Sequence, residues 1–378
     1  MQFSPNRKRM VWQKSSVRPF ILNYNTLKES KNNRRKRKMQ LMVLSSISSL
    51  LSRRELKHDL INIKNQKFGM EIEFTGITRQ EAAKALGEYF GERPIHTGDG
   101  YDTWSAFDSQ NRGWQVKRDG SIRGERKVGE RYIRTEDEAY KCEFVTPVLT
   151  YEDIPHLQEA IRAIRNAGGK VNSSCGLHIH VDAANHNRQS LKNLIAIMYS
   201  KEDMLFKALK VNEDRAQRWC QKVREPMLKK ARRLSGDETK DLTMLEDIWY
   251  EGPSGRYDHY NWTRYYALNL HSVFYRGTVE WRCFNSTLHA GRAKAYLNLC
   301  LAMSAQAINQ KRSVMRKTKS DNELFTFRVW LVRMGLNGKE FETTRDHLLA
   351  NLTGDRAWRY DKDSYEKNKP KNHTEQER

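Results

Sequence analysis

The chain has 378 residues, 38% hydrophobic and 30% charged, with a formal net charge of +22. That length can bury a substantial core, and no apolar run reaches the roughly 18 residues of a membrane-spanning helix. The longest apolar stretch, MQLMVLSSISSLL (39–51), is short and carries four serines.

In chain order, a basic segment comes first. Residues 1–66 hold 16 Lys and Arg against 3 Asp and Glu, a net +13 that leaves +9 for the remainder. With little hydrophobic periodicity, this leader is expected to be disordered, with a charge that would allow nonspecific contact with nucleic acid or an anionic surface and no specific nucleic-acid partner. NNRRKRKM also reads like a translated purine-rich ribosome-binding leader, so translation is expected to start at Met39 or Met42. No small-residue cleavage site follows the apolar run, so export is not expected.

From residue 67 the pattern becomes that of a folded domain, expected to span 67–355. KFGMEIEFTGIT (67–78) alternates like a strand. TRQEAAKALGEYFG (78–91) reads as a helix, with Thr78 as N-cap, Glu81 completing a capping box and Gly91 at its end. Several short strands follow in 101–147, including GWQVKRDGS and KCEFVTP. YEDIPHLQEAIRAIRNAGG has the apolar spacing of an amphipathic helix. After the strand GLHIHVD, one helical region is predicted over 188–234, then loops at SGDETKDL and YEGPSGRYDHY. RYYALNLHS and GTVEWRCF are predicted strands, followed by a helix over 290–312 and further helical sequence. Residues 356–378 are expected to form a polar, flexible tail. Alternating strands without a regular βαβ rhythm, and without an internal repeat, predict an α+β fold built on an antiparallel sheet. The five cysteines contain no C-x-x-C pair, which argues against a disulfide framework or zinc ribbon and suits a reducing cytoplasm.

Four strands repeat one peculiarity. Glu71 and Glu73 alternate against Met70, Ile72 and Phe74; His178, His180 and Asp182 alternate against Leu177, Ile179 and Val181. Glu280 and Arg282 oppose Val279, Trp281 and Cys283, and Glu143 opposes Cys142 and Phe144. A metal site, a nucleotide site and an ordinary solvated sheet face all fit any one of these strands. Taken together, the four are rich in the residue types that hold divalent cations and phosphates. Two carboxylates at i and i+2, about 7 Å apart, repel by about 2–2.5 kcal/mol at an effective dielectric near 20. A cation that relieves this would be Mg²⁺ or Mn²⁺, because oxygen donors outnumber imidazoles. Arg282 suits a phosphate oxygen or an anionic intermediate. Asp182 serves equally well as a strand cap, and Trp281 reads as core. Cys175 is either a nucleophile near His178 or a small buried thiol before a glycine turn. The aromatic residues of 249–266 either shape an acceptor pocket or cover the core.

FGMEIEF, RDGS, CEFVTP, VNSSCGLHIHVD, RYYALNL and TVEWRCFNSTL, in that order, resemble the amidoligase family of the carboxylate–amine ligase superfamily, which includes glutamine synthetase and glutamate–cysteine ligase. The resemblance covers roughly 67–310. It implies a glutamine-synthetase-like fold, a curved antiparallel sheet with helices on its outer face and ATP and divalent metal on the other. It also implies a reaction in which ATP phosphorylates a carboxylate and an amine attacks the acyl phosphate. By this resemblance Glu71, Glu73, Glu143, Glu280 and His178 are metal ligands, and His180 and Asn269 lie near ATP, with the two histidines interchangeable. Arg282 and Arg264 contact phosphates or the acyl phosphate, with Glu73 also at the reacting centre, and Asp119 and Ser121 belong to the substrate side. Small-molecule or peptide carboxylates and amines are the implied partners, with peptide modification in bacterial or phage-borne clusters as the implied setting. Oligomer formation is left open. Two rivals stand beside this reading. A metal-dependent amidohydrolase would use the same histidines without ATP, and a nucleic-acid-binding protein would use the basic excess, although no specific nucleic-acid motif is present.

Overall fold

Period-two alternation in FGMEIEF builds the strand at the middle of the structure. The computed structural model describes residues 60–235 and 239–359. The strands are β1 (Phe68–Phe74), β2 (Ile95–His96), β3 (Trp104–Phe107), β4 (Gly113–Arg118), β5 (Glu125–Val128), β6 (Arg131–Arg134), β7 (Cys142–Val145), β8 (Gly176–Asp182), β9 (Leu268–Asn269) and β10 (Thr278–Asn285). The helices are α1 (Arg79–Phe90), α2 (Ile154–Asn166), α3 (Arg188–Leu209), α4 (Glu213–Arg218), α5 (Glu225–Arg232), α6 (Thr243–Tyr250), α7 (His271–Arg276), α8 (Ala290–Asn309), α9 (Glu323–Arg333) and α10 (Glu342–Leu349).

Eight strands form one sheet in the order β2-β3-β4-β7-β1-β8-β10-β9, and every pairing is antiparallel. β5 and β6 make a separate hairpin. The apolar side of the central strands is sealed: Ile72, Phe74, Phe144, Ile179, Val181, Val279 and Trp281 are fully buried. α1 packs on β3 and β4, α8 on β8, and α3 on β10 and α8. This is the expected α+β architecture, an antiparallel sheet with helices against its apolar face. Among the described residues no helix is long and apolar enough to cross a membrane.

Local signals hold where capping residues are explicit. The Thr78 side chain accepts from the Glu81 backbone, Glu81 returns the bond, and Gly91 closes α1 at φ 82°. The region 188–234 differs from one long helix. Lys210 takes a left-handed conformation, Asn212 caps α4, and Pro226 sits in the first turn of α5, so three helices replace one. RYYALNLHS differs too. Only Leu268 and Asn269 are strand, flanked by a 3₁₀ turn at Trp262–Tyr265 and by α7. α6 was not predicted. The folded unit also begins earlier than residue 67, because Ile61 and Asn309 exchange two hydrogen bonds. At the other end, Asn322 donates to the carbonyls of Asp355 and Trp358, so the domain extends past 355. The leader up to residue 59 and the tail from 360 lie outside the described residues.

One buried group makes stability depend on pH. His186, between β8 and α3, lies 3.0 Å from both Ser190 Oγ and Ser304 Oγ. Burial, with help from Lys240, holds its pKa down to about 4, below the ordinary 6.5. The folded value is depressed, so this stability is complete above pH 6.5 and is lost as pH falls toward 4. Denaturant unfolding at pH 7 and near pH 4.5 is expected to show a loss of about 2–3 kcal/mol from this group, missing in His186→Asn.

Candidate active site

Strand register turns the polar alternation into rungs. Lys117, Glu143 and Glu73 lie opposite one another across β4, β7 and β1. Glu71 lies opposite His178, and His180, Glu280 and Asn269 form a third rung across β8, β10 and β9. Directly paired residues share a face, so residues more than 200 positions apart in sequence meet on one surface. A register shift between Trp281 and Phe284 interrupts the ladder, and Arg282 stays on the polar side with Glu280.

The contacts are dense. His178 Nδ1 is 3.1 Å from Glu71 Oε2 and 3.9 Å from Glu280 Oε1, and its Nε2 is 3.8 Å from Glu73 Oε1. His180 Nε2 lies 3.4 Å from Glu71 Oε1, outside hydrogen-bonding geometry, and its Nδ1 is 3.1 Å from Thr278 Oγ1. Arg282 Nη1 donates to Glu280 Oε1 at 2.5 Å, and Asn269 Nδ2 donates to Glu280 Oε2 at 2.7 Å. Glu73 Oε2 accepts the Gly176 backbone N–H at 2.6 Å.

These neighbours divide the carboxyls. Burial pushes Glu71 up, but His180 and His178 outweigh it and hold the group well below the usual carboxylate range. Burial opposes ionisation of Glu280 as well, yet Arg282, His180 and His178 bring it to about 2. Glu143 goes the other way. Burial, then Glu71, Asp119 and Glu73, push it well above the ordinary value. Cys175 is buried, and burial pushes its thiol up to about 12, which agrees with the reading of a small buried thiol before the glycine turn.

Three overlapping groups could each hold a cation: Glu71, Glu143 and His178; Glu71, His180 and Glu280; and Glu73, Asp119 and Glu143. Within each group the donor atoms lie within 4.8 Å of one another. Five carboxylates and two imidazoles form a donor set suited to a hard divalent ion. His180 Nε2, Asn269 Oδ1 and Arg282 Nε are buried without a hydrogen-bond partner, so the face keeps unused polar capacity.

Two adjoining cavities open onto this face. The larger, about 530 Å³, is lined by Glu71, Glu143, His180, Asn269 and Glu280, with Lys117 and Arg276. The smaller, about 410 Å³, is lined by Glu73, His178, Ser121 and Arg215. Asp119, Tyr260, Arg264 and Arg282 line both. Every residue expected to bind metal, nucleotide or substrate lines one cavity or the other, whereas Asp182 and Cys175 line neither. Ser121 reaches only the smaller, and its N–H is spent on Asp119 Oδ1. Asp119, expected on the substrate side, sits with Glu73 and Glu143 among the candidate ligands.

The sequence reading missed Lys117, Arg276 and Arg215. Lys117 was within reach, because Trp114 and Val116 mark the buried side of GWQVKR and leave Lys117 on the other. Arg276, 3.9 Å from Glu71 Oε1, and Arg215 arrive from short helices with no periodic signal.

A family model described as "Putative amidoligase enzyme" matches residues 64–304. The chain belongs to this family. No curated protein matches it. Among solved structures, a bifunctional glutathione synthetase from Pasteurella multocida is similar at 12% identity and a TM-score of 0.33, over 76% of this chain and 47% of that one. The chain thus spans about half the length of that enzyme. The matched range of the amidoligase begins just before β1 and ends within α8, so it includes every strand of the polar face.

Proposed function

We propose that this amidoligase is an ATP- and divalent-metal-dependent carboxylate–amine ligase that forms an amide through an acyl phosphate. The observation that carries the reading is the set of three overlapping carboxylate and imidazole groups beside a buried, ion-paired arginine. Glu71, Glu73, Glu143, Glu280 and His178 would hold Mg²⁺ or Mn²⁺, with Asp119 joining Glu73 and Glu143. When bound, the metal would neutralise charge on the nucleotide phosphates and on the phosphoryl group in transfer.

The protein's own groups account for the rest. Glu280 fixes the Arg282 guanidinium and leaves its buried Nε–H free to donate to an oxyanion. Arg264, anchored through the His259 carbonyl at 2.9 Å, lines the same two cavities as Arg282. His180 and Asn269 orient the nucleotide in the larger cavity, whose Lys117 and Arg276 add cationic contacts. The smaller cavity, with Ser121, receives the molecule to be activated. An amidohydrolase would use the same histidines but leaves the Glu280–Arg282–Asn269 unit without a task. ATP dependence separates the two.

Calorimetry of the full chain with a non-hydrolysable ATP analogue, with and without Mg²⁺, tests the proposal. Binding that strengthens at least tenfold with Mg²⁺ is expected. Failure to bind under either condition would sink it.

A further inference from the structure

Arg215 is the buried cation for which the proposed chemistry has no use. It lies in α4, is 4% exposed, and makes no ion pair among the described residues. Its Nη2 donates to the Arg282 carbonyl at 3.3 Å, while Nε has no partner. A guanidinium withdrawn from water without an anion is costly, and such a group persists where an anion completes it. The backbone makes room for it, because a Cβ on Gly176 would come within 2.3 Å of Nη2. Glycine at 176 lets β8 start directly against the guanidinium.

The surroundings point the same way. The smaller cavity is lined by Arg123, Arg215, Arg218, Arg264 and Arg282, against Glu73, Asp119 and Asp214. Five cations against three anions leave a formal +2. Arg282 is paired with Glu280, and Arg123 donates to Ser173 Oγ. Arg215, Arg218 and Arg264 have no carboxylate partner among the described residues.

We infer that this cavity is an anion subsite organised on Arg215, taking a second carboxylate of the molecule whose first carboxylate is activated beside Arg282. The substrate class is then a dicarboxylate, such as an acidic amino acid or the acidic end of a peptide. The planar fork of Arg215 fits a carboxylate or a phosphate oxygen pair. The acidic wall formed by Glu73, Asp119 and Asp214 favours a singly charged group over a polyphosphate. Arg264 and Arg282 line both cavities, so a molecule anchored at Arg215 extends to the Glu280–Arg282 edge. Only the purpose of the anchored carboxylate rests on the ligase reading; the subsite itself does not.

The test uses the full chain without nucleotide or metal, titrated calorimetrically with glutarate, with propionate and with inorganic phosphate. The Mg²⁺-dependent ATP-analogue affinity is measured separately. Arg215→Met and Arg215→Lys are compared with wild type after circular dichroism confirms folding. Arg218→Met, at the exposed rim, serves as a second variant with little effect on the core. Glutarate is expected to bind more tightly than propionate. Its Kd should rise at least tenfold in Arg215→Met, less in Arg215→Lys and about threefold in Arg218→Met, with ATP-analogue affinity changed less than twofold. A tenfold loss of phosphate or ATP-analogue affinity with glutarate unaffected would assign the pocket to nucleotide phosphates and overturn the inference. Absence of glutarate binding to wild type, or unchanged glutarate affinity in folded variants, overturns it as well. Failure of ATP-analogue binding in wild type would end the ligase reading and leave the glutarate result standing.

Discussion

Truncating Trp281 to alanine is expected to cost about 3–5 kcal/mol of folding stability. The indole is fully buried on the apolar face of β10, opposite Ile179 of β8 and Leu268 of β9, both fully buried too. Removing it deletes a large apolar volume beside two fully buried strand partners. The cavity cannot collapse without disturbing the ladder, so both transfer and cavity costs apply. Against the roughly 5–15 kcal/mol stability of an ordinary domain, that is a large share. Guanidinium unfolding should show a lower midpoint with an unchanged slope. A midpoint within experimental error of wild type would contradict the packing described for this strand.

Arg282→Met is expected to cost about 3–5 kcal/mol, because it leaves a buried carboxylate without its partner. Glu280 is 4% exposed, and burial pushes its pKa up; the guanidinium, with His180 and His178, reverses this to about 2. The folded value lies below the ordinary 4.5, so this contribution is present above pH 4.5 and is lost as pH falls toward 2. Deleting Arg282 removes most of it at neutral pH. The double variant Glu280→Gln/Arg282→Met no longer buries an uncompensated charge and should recover more than half of the loss. Denaturant unfolding at pH 7 across this cycle gives the coupling directly. A single variant as stable as the double would show that the pair carries no such coupling.

The candidate site was legible to the extent that it obeys period two. Alternation alone put Glu71 with Glu73, His178 with His180 and Glu280 with Arg282, each on one side of its strand. Capping residues were equally readable, as Thr78, Glu81 and Gly91 show. Single-residue breaks inside a long helical pattern were harder. Asn212 and Pro226 are the cap and the helix-start residue that divide 188–234 into three helices, and a single helical region predicted from the overall pattern does not register them. RYYALNL failed for another reason: β9 keeps only the two residues that β10 can pair, and the chain then turns into α7.

By itself, then, the sequence determined which side chains share a strand face, because side-chain direction along a strand depends only on parity. It determined the α+β class for the same reason. Only the tertiary structure decided which strands are neighbours, and so that Glu143 lies opposite Glu73 and Glu280 opposite His180. Register is a property of pairs of strands far apart in the chain, held by packing that no single segment encodes. The structure also brought Arg215 against Gly176 and Arg276 toward Glu71, from helices of six residues each. Long-range packing, not local pattern, placed those cations around the polar face.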